Sequence, residues 1–330
     1  MTTGSSQRVL VIAAEPDHLS RLAGVVQAAG ASPVLVPGFD RLQTGPEQLP
    51  FKFVVCAAGD VLDRYRIVAD RLREGSQLVA ITPALSLDKM VNVLDHDLCN
   101  HVLRDDDNGL AQLEVCVRKF VTGDLFGIEK YLPEGTEVRL TRLREYKGRT
   151  AAIDEVLAYA ETVGVRRQVR SAIGQVCEEL LMNALYDAPV DESGNPIFAE
   201  VELKARLDKL SPRPVSIRYA STERGFSVSV RDRFGRLDKA TVLRYIEKCL
   251  HSPQQIDRKV YGAGLGIYLI ANAASRFVLN VAPGIATEVV CSFERSTRSS
   301  LQSFSVFVHP GQQPMQAEAP TEARRPEQIG

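Results

Sequence analysis

A run of three glycines is the feature of this sequence that points most directly to chemistry. Gly262, Gly264 and Gly266 form G-x-G-x-G with Leu265, and an amphipathic stretch follows at once. Glycines let backbone amides approach a phosphate, and the N-terminus of the predicted helix adds a favourable dipole. The run is not a Walker A loop, because no Gly-Lys-Ser/Thr follows, and a dinucleotide fold would need a strand directly before it. Polar, lid-like residues 249–261 precede it instead, so the run alone does not identify a phosphate site.

A second candidate group lies on a long core helix that we predict over residues 168–187. Its apolar residues recur with the spacing of one buried helix face: Val169, Ile173, Val176, Cys177, Leu180, Leu181, Ala184 and Leu185. Glu179, Asn183 and Asp187 form a second stripe that drifts toward this apolar face. Carboxylates and an amide at the border of the core favour a functional role. The alternative is a run of polar flanking residues.

Two further candidates lie on predicted strands. In GFSVSVRD, Asp232 shares one face with Phe226, Val228 and Val230, because side chains alternate along a strand. It continues an apolar row toward the core, where an unpaired carboxylate is very costly. The alternative is an aspartate that ends the strand and caps a turn. In the later strand ATEVVCSFE, Thr287 alternates in the same way onto an apolar face.

The elements that must position these residues are predicted between residues 137 and 309. They are a strand at EVRLTRL, a helix over 150–163, the long helix, a hairpin of 214–220 with 225–232, the strands RFVLNV and ATEVVCSFE, and SFSVFVH as a final edge strand. Residues 123–136, with glycines and Pro133, indicate a linker. Residues 1–7 and the Pro, Gln and Glu-rich residues 310–330 are expected to be disordered.

Residues 8–122 alternate strands and helices. RVLVIAA, SPVLVP, FKFVVCAA and QLVAITP are apolar runs suited to buried strands, and helices are expected after the first run, over 62–72 and over 109–121. This alternation predicts a doubly wound parallel sheet.

The order of these elements resembles a response-regulator receiver domain, with its phosphorylation residues missing. Ala13 and Ala14 precede Glu15 where the family has two acidic residues, and Ala57 stands where it has the phosphoacceptor aspartate. Thr82 matches the family's switch hydroxyl, and Arg104 stands near its lysine. Without the carboxylate nucleophile and the carboxylates that hold Mg²⁺, the domain cannot form an aspartyl phosphate. We interpret it as a pseudo-receiver that docks partners or dimerises; the alternative is an unrelated small α/β domain.

Composition excludes several classes of protein. The 330 residues are 45% hydrophobic and 25% charged, with a net charge of −1, so nothing favours nucleic acid or an anionic membrane as a partner. The six cysteines are scattered, without C-x-x-C or nearby histidines, which is typical of buried thiols in a reducing compartment. No apolar run of transmembrane length and no leader are present, so we expect a cytoplasmic protein.

Taken in order, Glu179-x-x-x-Asn183, Asp232 with Gly235, the glycine run and Thr287 resemble the GHKL or Bergerat ATP-binding fold. The resemblance covers about residues 135–309 and implies an α+β two-layer sandwich behind the receiver-like α/β domain. It implies that Asn183 holds Mg²⁺ against the phosphates of ATP and that Glu179 is the general base or orients water. Asp232 would accept the adenine amino proton with support from Thr287. Residues Gly262, Gly264, Leu265 and Gly266 would cover the phosphates.

The chain departs from that superfamily at the adenine motif. Asp-x-Gly-x-Gly is reduced to Asp232-Arg233-Phe234-Gly235, in which one glycine remains and is displaced by one position. Ala286 replaces the glycine that often precedes the late threonine.

Within the superfamily, the layout is closest to the anti-sigma-factor serine kinases. The histidines, His18, His96, His101, His251 and His309, leave no phosphoacceptor just before the ATP domain, unlike histidine kinases, and too few residues follow for a gyrase-type transducer. Asp187 stands where the serine kinases often carry histidine.

These resemblances predict a signalling protein that binds Mg-ATP and phosphorylates a partner on Ser or Thr. They also allow a homodimer. The alternatives are a non-catalytic nucleotide-dependent switch and a pseudokinase scaffold that acts through protein–protein contacts.

Overall fold

The structure, a computed structural model, describes residues 7–39, 49–59, 61–191, 193–198, 210–251, 265–295 and 300–309. Its first part contains β1 (Arg8–Ala13), α1 (Pro16–Ala28), β2 (Ser32–Pro37), β3 (Phe53–Ala57), α2 (Leu62–Ala69), β4 (Gln77–Thr82), α3 (Leu87–Leu94), β5 (Cys99–Arg104) and α4 (Asp107–Thr122). A short helical turn follows at Ile128–Tyr131. The second part contains β6 (Arg139–Glu145), α5 (Gly148–Thr162), α6 (Arg167–Met182), β7 (Leu210–Ser221), β8 (Gly225–Asp232), α7 (Lys239–His251), α8 (Leu265–Ala273), β9 (Arg276–Ala282), β10 (Ala286–Glu294) and β11 (Ser303–Val308).

The first five strands are parallel and lie in the order β2-β1-β3-β4-β5. The apolar runs of β1, β3, β4 and β5 are buried on both faces, whereas the edge strand β2 is partly exposed. On β1, for example, Leu10 and Ile12 join one core while Val9 and Val11 join the other. The predicted doubly wound receiver-like arrangement is therefore present. Helix α3, whose N-terminus is capped by the Ser86 hydroxyl, was not predicted from the sequence.

The remaining strands continue the same sheet rather than forming a separate one. The described strands give the order β2-β1-β3-β4-β5-β11-β9-β10-β8-β7-β6. Strands β6 to β10 are joined by antiparallel pairing. Residues of α5 to α8 pack in one core against the inward face of these strands. The mixed α/β class holds for the whole chain, whereas two separate sheets were expected.

The prediction that SFSVFVH forms an edge strand is wrong. β11 lies between β9, to which it is parallel, and β5, to which it is antiparallel. Phe304 pairs with Val102 on one side and Phe277 on the other, and all three are buried. An alternating apolar run fits a central strand when other elements cover both faces of the sheet. The sequence alone could not show which elements cover them.

Residues 123–136 cover the outer face of the second part's strands. Leu125 and Ile128 are buried in one core with Val278, Val290 and Phe307. The segment predicted as a linker is therefore packed between the two parts of the chain. Helix α7, which contacts α3, was also not predicted.

Candidate functional site

Glu179 lies near the C-terminal end of α6, against the first turn of α8. A Cβ atom built on Gly266 would fall 2.0 Å from Glu179 Oε2, so any other residue there would require the carboxylate to move. The fold thus brings together two predicted site residues that are distant in the sequence.

The surroundings of Glu179 raise its pKa. Burial has the largest effect, the nearby charges of Glu178 and Asp187 add to it, and Arg149 acts in the opposite direction. Such a carboxyl group is charged at neutral pH only at some loss of stability. Carboxyl groups with a perturbed pKa are concentrated at functional sites.

Asn183 begins a widened helical turn, Asn183–Asp187, that continues α6. The carbonyl oxygen of Asn183 accepts a hydrogen bond from the amide of Ala188, at 2.9 Å, which replaces the regular helical pairing. Widened turns inside helices are frequent at functional sites. This turn contacts β7 and β8, so Asn183 lies on an element packed against the strand of Asp232. The regular helix predicted to residue 187 therefore ends at Met182.

Asp232 ends β8 with a buried carboxylate, 6% exposed. Its Oδ1 accepts hydrogen bonds from the amides of Phe234 (2.7 Å) and Gly235 (3.2 Å). Burial raises the pKa of Asp232, and these hydrogen bonds offset part of that rise. Asp232 therefore caps a turn, as one reading of the sequence held, and also lies on the inward face, as the other held.

Thr287 lies directly opposite Asp232 in the antiparallel pair of β10 and β8. Its side chain is buried, and its Oγ1 has no well-aligned hydrogen-bond partner among the described residues. The residue is nevertheless close enough to Asp232 to lower the pKa of that carboxyl group against the effect of burial.

Gly235 has a packing role that does not depend on any ligand. Its φ is +65°, and a Cβ atom there would lie 2.2 Å from the carbonyl oxygen of Ala282. Its own carbonyl oxygen accepts from the amide of Gly284 at 3.2 Å. Gly235, the one glycine that remains of the Asp-x-Gly-x-Gly motif, therefore holds the turn after β8 against the turn between β9 and β10.

Phe234 is buried in the same turn and is 2% exposed. The guanidinium of Arg213 lies 5.3 Å from the centre of its ring. Gly262 and Gly264 lie outside the described residues, and Leu265 is described only as the first residue of α8.

Carboxylate and amide oxygens on α6 and the following turn are ligands that hard divalent cations accept. No group of three or more His, Cys, Asp or Glu side chains that could hold a metal occurs in the described part of the chain. A metal here would need ligands from a bound molecule or water in addition to Asn183 and Glu179.

Sequence reasoning missed Arg149, which sits beside Glu178 and Glu179. No periodicity marks it, because it comes from the first turn of a different helix, α5. It also missed buried Lys119, which donates to Asn280 Oδ1 at 2.8 Å. A lysine on a helix face is normally solvated, so only the packed structure reveals this contact.

At the receiver-like end, Tyr65 fills the space beside the position of the absent phosphoacceptor. Its hydroxyl donates to the carbonyl oxygen of Ile81 at 2.6 Å and accepts from the amide of Ala58 at 3.2 Å. Thr82 is buried, and its hydroxyl has no hydrogen-bond partner among the described residues. Arg104 pairs with Asp106.

No family profile and no curated protein matches the sequence. Among solved structures, a response regulator from Thermotoga maritima is 10% identical, with a TM-score of 0.28, 36% of this chain covered and 98% of that one. A response regulator CheY-like protein from Mesorhizobium loti is 16% identical, with a TM-score of 0.26, and 35% of this chain and 98% of that one are covered. The receiver domain of NtrC4 from Aquifex aeolicus is 18% identical, with a TM-score of 0.28, and 34% of this chain and 98% of that one are covered.

Likenesses this low carry no argument about this chain. Its receiver-like arrangement rests instead on the strand order and the two covered faces of the parallel strands. Among the described helices, none is both long and apolar enough to cross a membrane.

Proposed function

We propose that the second part of the chain is a GHKL-type domain that binds Mg-ATP, within a signalling protein that phosphorylates a partner on Ser or Thr. The observation that carries this proposal is the close approach of the Glu179 carboxylate to Gly266. A motif carboxylate and a motif glycine are brought together by α6 and α8. The receiver-like first part, which lacks the phosphoacceptor, supports a docking role in signalling.

The residues present fit a magnesium nucleotide. Gly266 lies against the carboxylate of Glu179, and the glycine run that precedes it would supply the backbone amides that a phosphate needs. The buried hydroxyl of Thr287 and the buried carboxylate of Asp232 lie side by side and suit an exocyclic amino group or a bridging water. ATP would supply the transferable phosphoryl group, and the chain would act mainly by positioning and by charge neutralisation.

Each residue then has one task. Asp232 and Thr287 hold the base, Asn183 offers an amide oxygen to Mg²⁺, and the amides of the glycine run face the phosphates. Glu179 accepts the proton of the attacking hydroxyl. Its raised pKa suits this task, because a general base works best when its pKa is close to the working pH.

Calorimetric titration with ATP and ADP, with and without Mg²⁺, tests the binding site. We expect Asp232→Asn to weaken nucleotide binding by more than about 10-fold, because the amide cannot replace both the charge and the acceptor pattern. The matched control is Asp238→Asn. Asp238 is also an aspartate that caps a backbone amide, that of Thr241 at 2.7 Å, but it lies at the start of α7. Absence of binding by the natural chain, or equal effects of both substitutions, would contradict the proposal.

A second candidate function is a scaffold or nucleotide-dependent switch without catalysis. It is favoured by Asp232 Oδ1, which already serves two amides of its own turn. Phosphotransfer assays with Glu179→Gln separate the two. Loss of transfer with intact nucleotide binding supports a kinase, whereas unchanged signalling behaviour supports the switch.

A further inference from the structure

Arg149 lies in the first turn of α5, where this helix packs against the C-terminal end of α6. Its guanidinium forms an ion pair with Oε1 of Glu178 and lies 4.0 Å from the centre of the Tyr146 ring. The arginine side chain is only 13% exposed, and its Nε is buried without a hydrogen-bond partner among the described residues. An arginine held so closely loses much side-chain entropy. Its fixed position therefore indicates a role other than keeping the surface soluble.

Arg149 is also linked to the turn that carries Asn183. The ring of Tyr146, beneath the guanidinium, meets Tyr186 edge-on, with centroids 5.0 Å apart and planes at 72°. Tyr186 is buried inside the turn Asn183–Asp187. Arg149, Tyr146 and Tyr186 thus form a continuous packed path from the start of α5 to this turn.

The charges around Glu179 make Arg149 distinctive. Glu178 and Asp187 are negative neighbours of Glu179, and Arg149 is the positive group that counters them. Arg149 binds Glu178, whereas Glu179, one position further along the helix, lies against Gly266.

We propose that Arg149 is a positioning residue for the phosphate end of the candidate nucleotide site. Arg149 fixes Glu178 and the turn of Asn183, so that Glu179 and Asn183 face the phosphates and Mg²⁺. The inference rests on the proposed function, but it concerns only one end of the site. Asp232 and Thr287, at the other end, are held by strand pairing that does not involve Arg149.

The test compares how strongly Mg²⁺ enhances ATP affinity in several variants of the full chain. Calorimetry gives the Kd for ATP with Mg²⁺ and with EDTA. We expect Arg149→Met to reduce the enhancement by Mg²⁺ by about 10-fold, as loss of outer-sphere support for a metal ligand typically does. Affinity in EDTA should stay within about twofold, since the base end is intact. Arg149→Lys should restore part of the enhancement, because it keeps the charge.

Arg170→Met is the matched control. Arg170 is likewise an arginine that joins α5 and α6 through an ion pair, but it lies at the opposite end of this helix pair. It pairs with Glu161 at 2.7 Å and donates to the carbonyl oxygen of Val165 at 2.8 Å. Its loss should lower the melting temperature without changing the enhancement by Mg²⁺.

The outcomes separate this inference from the function on which it rests. If the natural chain binds no ATP, both fall. If it binds ATP and Arg149→Met leaves the Mg²⁺ enhancement unchanged, or lowers affinity equally with Mg²⁺ and with EDTA, only the positioning role is overturned.

Discussion

At the residue scale, Gly235 is restricted to glycine by its own backbone and by its neighbours. Its φ of +65° disfavours any side chain, and a Cβ atom would meet backbone of Ala282, Gly284 and Ile285. We expect Gly235→Ala to lower the free energy of unfolding by about 2–4 kcal/mol, measured by urea denaturation.

Gly284→Ala is the control for this prediction. Gly284 also has a positive φ, +71°, but no atom lies within 4 Å of the place of its Cβ. It should lose only about 1 kcal/mol. Equal losses at the two positions would show that backbone strain, and not the close approach, restricts Gly235.

Glu179 is predicted to reduce stability at neutral pH. Because its pKa in the folded chain is above the ordinary value, the folded state binds the proton more tightly than the unfolded state. Stability is therefore lost as the pH rises from the ordinary pKa of a glutamate to the raised pKa of Glu179 in the folded chain. Glu179→Gln should be more stable than the natural chain at pH 8, and the difference should vanish toward pH 4.

The neighbouring Glu178→Gln should instead be less stable than the natural chain at pH 8, because it loses the ion pair of Glu178 with Arg149. Thermal melts at several pH values measure both. A Glu179→Gln variant that is less stable at pH 8 would mean that this carboxylate supports the fold rather than a reaction.

At the element scale, the pairing of β5 with β11 is sensitive to acid through His101. This residue is fully buried on β5, opposite Ser305, with its ring 4.5 Å from that of Phe307. Burial, followed by the charges of Lys119 and Lys239, lowers the pKa of His101 to about 3.

Below the ordinary histidine pKa of about 6.5, the unfolded chain binds a proton that the folded chain excludes. Stability should therefore fall from about pH 6.5 toward pH 3. His101→Phe keeps the ring packing and should flatten this fall by roughly 2 kcal/mol between pH 7 and pH 4. Urea midpoints across pH measure it, and exposed His251→Gln is the control. An unchanged slope in His101→Phe would assign the acid sensitivity to other groups.

At the scale of the whole molecule, the two parts of the chain are tied by polar as well as apolar contacts. Lys119 on α4 donates to Asn280 on β9 at 2.8 Å, and Asn280 donates to Glu288 on β10 at 3.0 Å. The amide of Gly127 donates to the same Glu288 oxygen at 2.9 Å. Burial lowers the pKa of Lys119 to about 7, against the effect of Glu288. Satisfied buried networks of this kind fix one arrangement of the elements that they join.

A shared sheet predicts that both parts unfold together. Ser305 is paired with Val278 on one side and His101 on the other, in the centre of the sheet. Proline at this position removes the amide from the ladder and should destabilise by about 3 kcal/mol or more. In native-state hydrogen exchange, the natural chain should show one common opening energy for β4 and β8, and Ser305→Pro should separate them. Different opening energies in the natural chain would mean that the two parts open independently.

The sequence by itself determined the local elements and the faces of its strands. Apolar runs predicted the first four strands but not β5, and period-two alternation placed Asp232 and Thr287 on inward faces, where both lie. Helical periodicity placed Glu179 beside the core, although it did not foresee the widened turn at Asn183, which depends on packing against β7 and β8. Only the tertiary structure decided that β11 joins both parts into one sheet, and that Arg149 and Gly266 lie beside Glu179. The reason is physical: periodicity reports which face of an element is buried, whereas the element that buries it is chosen by contacts between distant residues.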